Sequence, residues 1–235
     1  SFSWSKLPLV DLQYDSGFFP LDERLIRKFC DLMHDSVKEL DLLASWAKGE
    51  IWFEEDLAHA KLCKLHDLES FRFEQPWSQS LEGRKVLVIH PFAKTIMSQY
   101  SHREVLFENP KVLPKFDLFT IKAVQSLVGH HPPEFTTWFD ALDHMTEQAL
   151  ASPADVVILG CGAYGFPLAA RLKRAGKQCI HLGGATQLFF GIRGARWERP
   201  PHAETTQHFF NEFWVRPADD ERPSRANMME DACYW

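Results

Sequence analysis

Residues 155–160 read DVVILG, an apolar run that meets the glycines of GCGAYG at 160–165. So short a run fits a strand. The stretch 166–176, FPLAARLKRAG, has helical spacing and closes on Gly176. The next apolar run, QCIHLGG at 178–184, is a further strand. Strand, glycine turn, helix and strand in this order make a βαβ unit, which places its two strands parallel in one sheet.

The same alternation starts earlier. KVLVIHPF at 85–92 is β-rich, AKTIMSQYSHREVLF at 93–107 has helical spacing, FDLFTIKAV at 116–124 is a second strand, and 134–151 a second helix. The pattern predicts an α/β fold: a Rossmann-like parallel sheet flanked by helices. An N-terminal, mostly helical portion (residues 1–80, with amphipathic spacing over 21–47) precedes the core at 81–200. Residues 51–77 are mixed and carry no clear period. A C-terminal extension, 201–235, is polar and then aromatic, and its Tyr234-Trp235 end suits docking on the body. The three parts are expected to form one compact unit.

In such sheets ligands lie beyond the carboxyl ends of the strands. Those ends carry His90-Pro91-Phe92, then Lys122 to Ser126, then Gly160 to Gly165, then His181 to Gln187. Four polar or glycine-rich termini are expected to meet there in one cleft.

Composition narrows the ligand. A formal net charge of -6 argues against a duplex nucleic-acid binder. Five cysteines without a CxxC pair suit reduced thiols in a cytoplasmic setting better than a disulfide framework. No apolar stretch has the length of a membrane span, and the opening SFSWSKLPLV lacks the pattern of a secretory signal.

GCGAYG fits G-x-G-x-x-G in its strand–turn–helix setting. There the backbone of Gly160, Gly162, Ala163, Tyr164 and Gly165 can approach a phosphate at a helix N-terminus. A tight turn without ligand has the same spelling. A nicotinamide or S-adenosylmethionine site expects an acid at the end of the following strand, but His181, Leu182, Gly183 and Gly184 stand there. Cys161, next to the helix start, is a candidate low-pKa thiol without an assigned base. His90 and His181, each at a strand end, are candidates for ligand contact or for buried structural histidines. No HExxH, GxSxG or P-loop lysine pattern occurs.

Taken together, the stretch from KVLVIHPF through SQYSHREVLFENPKVLPKFDLFTIKAVQS to GCGAYGFPLAARLKRAGKQCIHLGGATQLFFGIRGARWE resembles uncharacterised proteins of bacterial surface-polysaccharide clusters. Its layout is similar to the GT-D class of glycosyltransferases. That class has an acidic N-terminal motif, here matched by ASWAKGEIWFEED, and a closing strand segment, here matched by CIHLGGATQ. Lys48 stands where the acidic motif has Asp. The resemblance implies a cytoplasmic enzyme of cell-surface glycan synthesis with a UDP-type nucleotide-sugar donor and a glycan or glycolipid acceptor, and leaves a divalent metal open. It makes Glu50 and Glu54, with Glu55 beside them, and His181 the catalytic candidates. Donor contacts fall to His90, Arg103, Lys122, Ser126, the 160–165 turn, Gly183, Gly184, Gln187 and Arg193. A dinucleotide- or S-adenosylmethionine-dependent enzyme and a non-catalytic module binding nucleotides or glycan precursors are the alternatives.

Overall fold

The computed structural model describes residues 6–126, 129–223, 226–228 and 232–235. Residues 1–5 of the opening segment, and 224, 225 and 229–231 of the C-terminal extension, lie outside these. In chain order the elements are α1 (Lys6–Tyr14), α2 (Glu23–Val37), β1 (Leu42–Ser45), α3 (Glu54–Leu57), β2 (Lys61–Lys64) and β3 (Lys85–His90). Then come α4 (Ala93–Tyr100), α5 (Arg103–Leu106), β4 (Asp117–Lys122), α6 (Trp138–Ala151), β5 (Val156–Leu159) and α7 (Gly165–Arg174). They end with β6 (Gln178–His181), α8 (Ala185–Phe189), α9 (Ala195–Glu198) and α10 (Ala203–Thr206). Short 3₁₀ turns fill many of the joints.

The main sheet is parallel throughout, in the order β4-β3-β5-β6. It is a Rossmann-like α/β fold. Side chains alternate across the sheet with period two, so each strand feeds two cores. Val86, Val88, Val156 and Ile158 point into one, with Ile96 of α4 and Leu188 and Phe189 of α8. Leu87, Ile89, Val157 and Leu159 point into the other, with Leu142 of α6 and Leu168 and Leu172 of α7. Burial on both faces explains why β3 and β5 are uninterrupted apolar runs.

The N-terminal portion packs on this body. Phe18 and Phe19 enter the second core beside Trp138 and Phe139, and the Trp138 N–H donates to the Phe19 carbonyl. Lys173 and Arg174 at the end of α7 donate to the carbonyls of Glu39 and Asp35, pinning the end of α2.

Two expectations change. Residues 42–45 fall in the stretch spaced like a helix but form β1, which pairs in parallel with β2 as a separate two-stranded sheet. Apolar spacing over Leu40 to Ala44 suits either state, and the partner at 61–64 decides between them. The stretch 93–107 is two helices. At the break the Ser101 hydroxyl and amide both return to the Ser98 carbonyl, a local bond that competes with helix continuation.

Candidate functional site

Strand β3 lies between β4 and β5, so the connections leaving β3 and β5 run to opposite sides, and a crevice opens between their carboxyl ends. His90 ends β3 and Gly160 follows β5. A cavity of about 300 Å³ lies there. All four strand ends contribute to its wall: His90 to Phe92, Val124 to Ser126, Gly160 to Tyr164, and His181 with Gly183, Gly184 and Gln187. Asp15 and Ser16 of the N-terminal portion and Tyr234 and Trp235 of the C-terminal extension complete it.

Each glycine of the turn has its own reason. At Gly160 a β-carbon would sit 2.5 Å from His90 Cδ2 and 2.6 Å from Thr186 Oγ1, and at Gly165 it would sit 2.4 Å from His181 Nε2. These two allow strand ends and helix to close up. Gly162 differs: its φ is +57° and nothing lies within 4 Å of a β-carbon there. Left-handed backbone favours glycine, and the free face of this residue belongs to the cavity wall. The amides of the 3₁₀ turn Gly162–Tyr164 at the head of α7 have no helical partners by construction, whereas the Gly165 amide donates to the Gly162 carbonyl, so this end of the cavity offers the N–H groups of the turn and the helix dipole.

The two histidines come from opposite faces of the sheet. His90 shares the face of Val86 and Val88, and His181 that of Cys179, toward α7. The Phe92 amide donates to His90 Nδ1 at 3.0 Å, so Nδ1 carries the lone pair and Nε2 the proton. Burial pushes the His90 pKa down to about 3 and that of His181 to about 4. Both rings are neutral at physiological pH.

Tyr164 and Ser126 form a buried pair, hydroxyl to hydroxyl at 2.8 Å, with the Tyr164 ring stacked on Trp138 at 4.6 Å. Burial raises the Tyr164 pKa, so the hydroxyl stays protonated. Gln187 is wholly buried. Its amide donates to the Ile192 and Tyr234 carbonyls, tying α8 to the C-terminal extension, while its Oε1 has no partner among the described residues. Burial also pushes the Cys161 thiol up to about 12, away from the thiolate form that a helix start could favour.

Of the sequence candidates, His90, Ser126, Gly160, Gly162, Ala163, Tyr164, His181, Gly183, Gly184 and Gln187 line the cavity; Gly165 supports it from behind His181. Five others do not line it. Glu50 accepts hydrogen bonds from the Ser45 hydroxyl and the Trp46 and Ala47 amides, which hold its carboxyl below the usual range and tie it to the turn after β1. Glu54 is exposed at the start of α3. Arg103 pairs with Glu104 and lies over the Tyr100 ring. Lys122 is exposed at the end of β4. Arg193 faces Glu198 at 3.9 Å. Among the described residues, no group of three or more His, Cys, Asp or Glu side chains gathers to hold a metal ion. The acidic stretch does not gather the ligands of a metal centre.

Sequence reasoning missed Asp15, Ser16, Tyr234 and Trp235 as cavity wall. The turn spelling YDSGFFP marks a sharp bend at Gly17, and the β-carbon that glycine lacks would fall 1.7 Å from the Ser126 carbonyl oxygen. That close approach brings Asp15 and Ser16 to the cleft.

Comparisons with protein-family models, curated proteins and solved structures each find no match. Among the described residues no helix is long and apolar enough to cross a membrane.

Proposed function

We propose that the cleft binds a nucleotide sugar of the UDP type, and that the protein is a glycosyltransferase-like enzyme of cell-surface glycan synthesis. The observation that supports this best is Gly162: a left-handed, open-faced glycine at the head of α7, on the wall of a cavity at the switch point of the sheet. The diphosphate belongs there, on backbone amides rather than on cations. Strand β6 ends without a carboxylate, which disfavours nicotinamide and S-adenosylmethionine ligands.

With Glu50 and Glu54 outside the cavity, the proton of the acceptor hydroxyl goes to His181. Its neutral imidazole has a free lone pair, and among the described residues neither ring nitrogen is engaged. In this step the acceptor oxygen bonds to the anomeric carbon, the bond from that carbon to the diphosphate breaks, the nucleoside diphosphate leaves and His181 holds the proton. The depressed basicity of His181 favours a second reading, in which the same cleft binds nucleotide sugars without turning them over.

Calorimetry with UDP, UDP-glucose, NAD and S-adenosylmethionine tests the ligand class. A ligand at a hundredfold excess over its Kd stabilises the fold by about 2.7 kcal/mol. UDP and UDP-glucose are expected to give this stabilisation; tighter binding of either other cofactor overturns the proposal. Release of UDP from UDP-glucose with a glycan acceptor separates the enzyme from the binding module.

A further inference from the structure

The aromatic end of the cavity has one polar group whose direction is set by the backbone. His90 is 3% exposed, and its ring lines the cavity beside Phe92 and Trp235, whose rings meet edge to face at 5.7 Å. A backbone N–H can only donate, so the bond from Phe92 fixes Nδ1 as acceptor and leaves Nε2–H as the remaining polar group of the ring. Among the described residues nothing accepts from that N–H. The ring cannot turn to hide it, because Cδ2 lies against the Gly160 backbone and Thr186 backs the same glycine. Among the described residues no lysine or arginine lines the cavity, and its aromatic end holds two N–H donors, the oriented His90 Nε2–H and the buried Trp235 Nε1–H, which has no partner among the described residues. Such a wall suits a nucleobase, whereas the Gly162 end suits phosphate.

We infer that His90 reads the base of the bound nucleotide, its Nε2–H donating to the keto oxygen at C4 of uracil or C6 of guanine and so selecting these bases over cytosine and adenine, which carry an amino group at that position. The inference rests on the nucleotide reading of the cleft. The discrimination has a simple origin. An amino group at that position would place a donor against the buried His90 donor, leaving both unpaired.

The test compares the Kd values of UDP and CDP, and of GDP and ADP, on the full chain and on two variants. Asparagine at 90 keeps an acceptor where Nδ1 stands and loses the distal donor; glutamine keeps a donor where Nε2 stands and loses the acceptor. The wild-type protein is expected to favour each keto partner by about tenfold or more. His90→Asn is expected to lose that preference while holding its melting temperature better than His90→Gln. His90→Gln is expected to retain the preference in its folded fraction. A keto preference unchanged in His90→Asn, or an amino preference in the wild type, overturns the role of His90 and leaves the nucleotide reading standing. Failure of all four nucleotides to bind overturns the nucleotide reading, and this role with it.

Discussion

The imidazole of His181 rests against the bare Cα of Gly165, so closely that a β-carbon there would lie 2.4 Å from Nε2 and 2.6 Å from Cδ2. One residue ends strand β6 and the other begins helix α7, and the contact sets how far the helix start lies from the strand end. Gly165→Ala is therefore expected to push the ring from its place and destabilise the fold by about 1–3 kcal/mol. Urea denaturation measures it. A loss under about 0.5 kcal/mol would show that the ring moves aside freely.

Gly162 separates ligand approach from backbone strain. A side chain there meets no protein atom, so its structural cost is the left-handed φ alone, about 1–2 kcal/mol for valine. Asparagine tolerates that conformation better. Gly162→Asn should keep more stability than Gly162→Val, yet both should weaken UDP binding by at least about tenfold, because either side chain enters the cavity. Unchanged affinity in both would make the turn purely architectural.

Acid should destabilise the protein through its histidines. The folded-state pKa values of His90 and His181, about 3 and about 4, lie below the unfolded value of 6.5. As pH falls through 6.5 the unfolded chain takes up protons that the folded chain refuses. Stability therefore falls from about pH 6.5 toward pH 4, by up to about 1.4 kcal/mol per pH unit for each histidine, and is insensitive to them above pH 7. The lowered carboxyl of Glu50 acts at the acid end of that range, losing its stabilisation as it protonates. Denaturation of the wild type and of His181→Gln between pH 5 and 7.5 should show a shallower slope in the variant. Parallel slopes would contradict the burial of His181.

Ala232, with φ +57°, is the one non-glycine residue of the described chain in left-handed backbone, just before the Cys233-Tyr234-Trp235 segment on the cavity wall. Ala232→Gly relieves that conformation and should raise stability by about 1 kcal/mol, less the entropy that glycine adds to the unfolded chain. A thermal melt that moves down instead would mean that the methyl group, in its buried place, contributes more than the strain costs.

Glu50 and His181 should part company in any turnover assay. Glu50→Gln weakens the hold on Ser45, Trp46 and Ala47 but leaves the cavity wall intact, so UDP release from UDP-glucose should stay within a few fold. His181→Ala should abolish it. Loss of turnover on Glu50→Gln with unchanged melting would return the acidic stretch to the chemistry.

What the sequence alone determined is what a few adjacent residues encode. Unbroken apolar runs specified β3 and β5 because strands buried on both faces need no polar side. The glycines of 160–165 specified the turn, and strand alternation put His90 and His181 at the ends that in an open parallel sheet surround the ligand. Leu42 to Ser45 was ambiguous because its apolar spacing satisfies two periods, and only the partner strand Lys61–Lys64 chose. The acidic cluster at Glu50 looked chemical because its residue types are, yet its hydrogen bonds turn it back onto its own turn. Asp15, Tyr234 and Trp235 reach the cavity from segments far apart in the chain, through the Gly17–Ser126 approach and the bond from Gln187 to the Tyr234 carbonyl. Such contacts leave no local period, because they follow from how distant surfaces fit once the sheet has formed. The tertiary structure alone therefore decided which side chains close the cleft, and that His90 meets it as a neutral, oriented donor: both depend on burial, which is a property of the assembled fold.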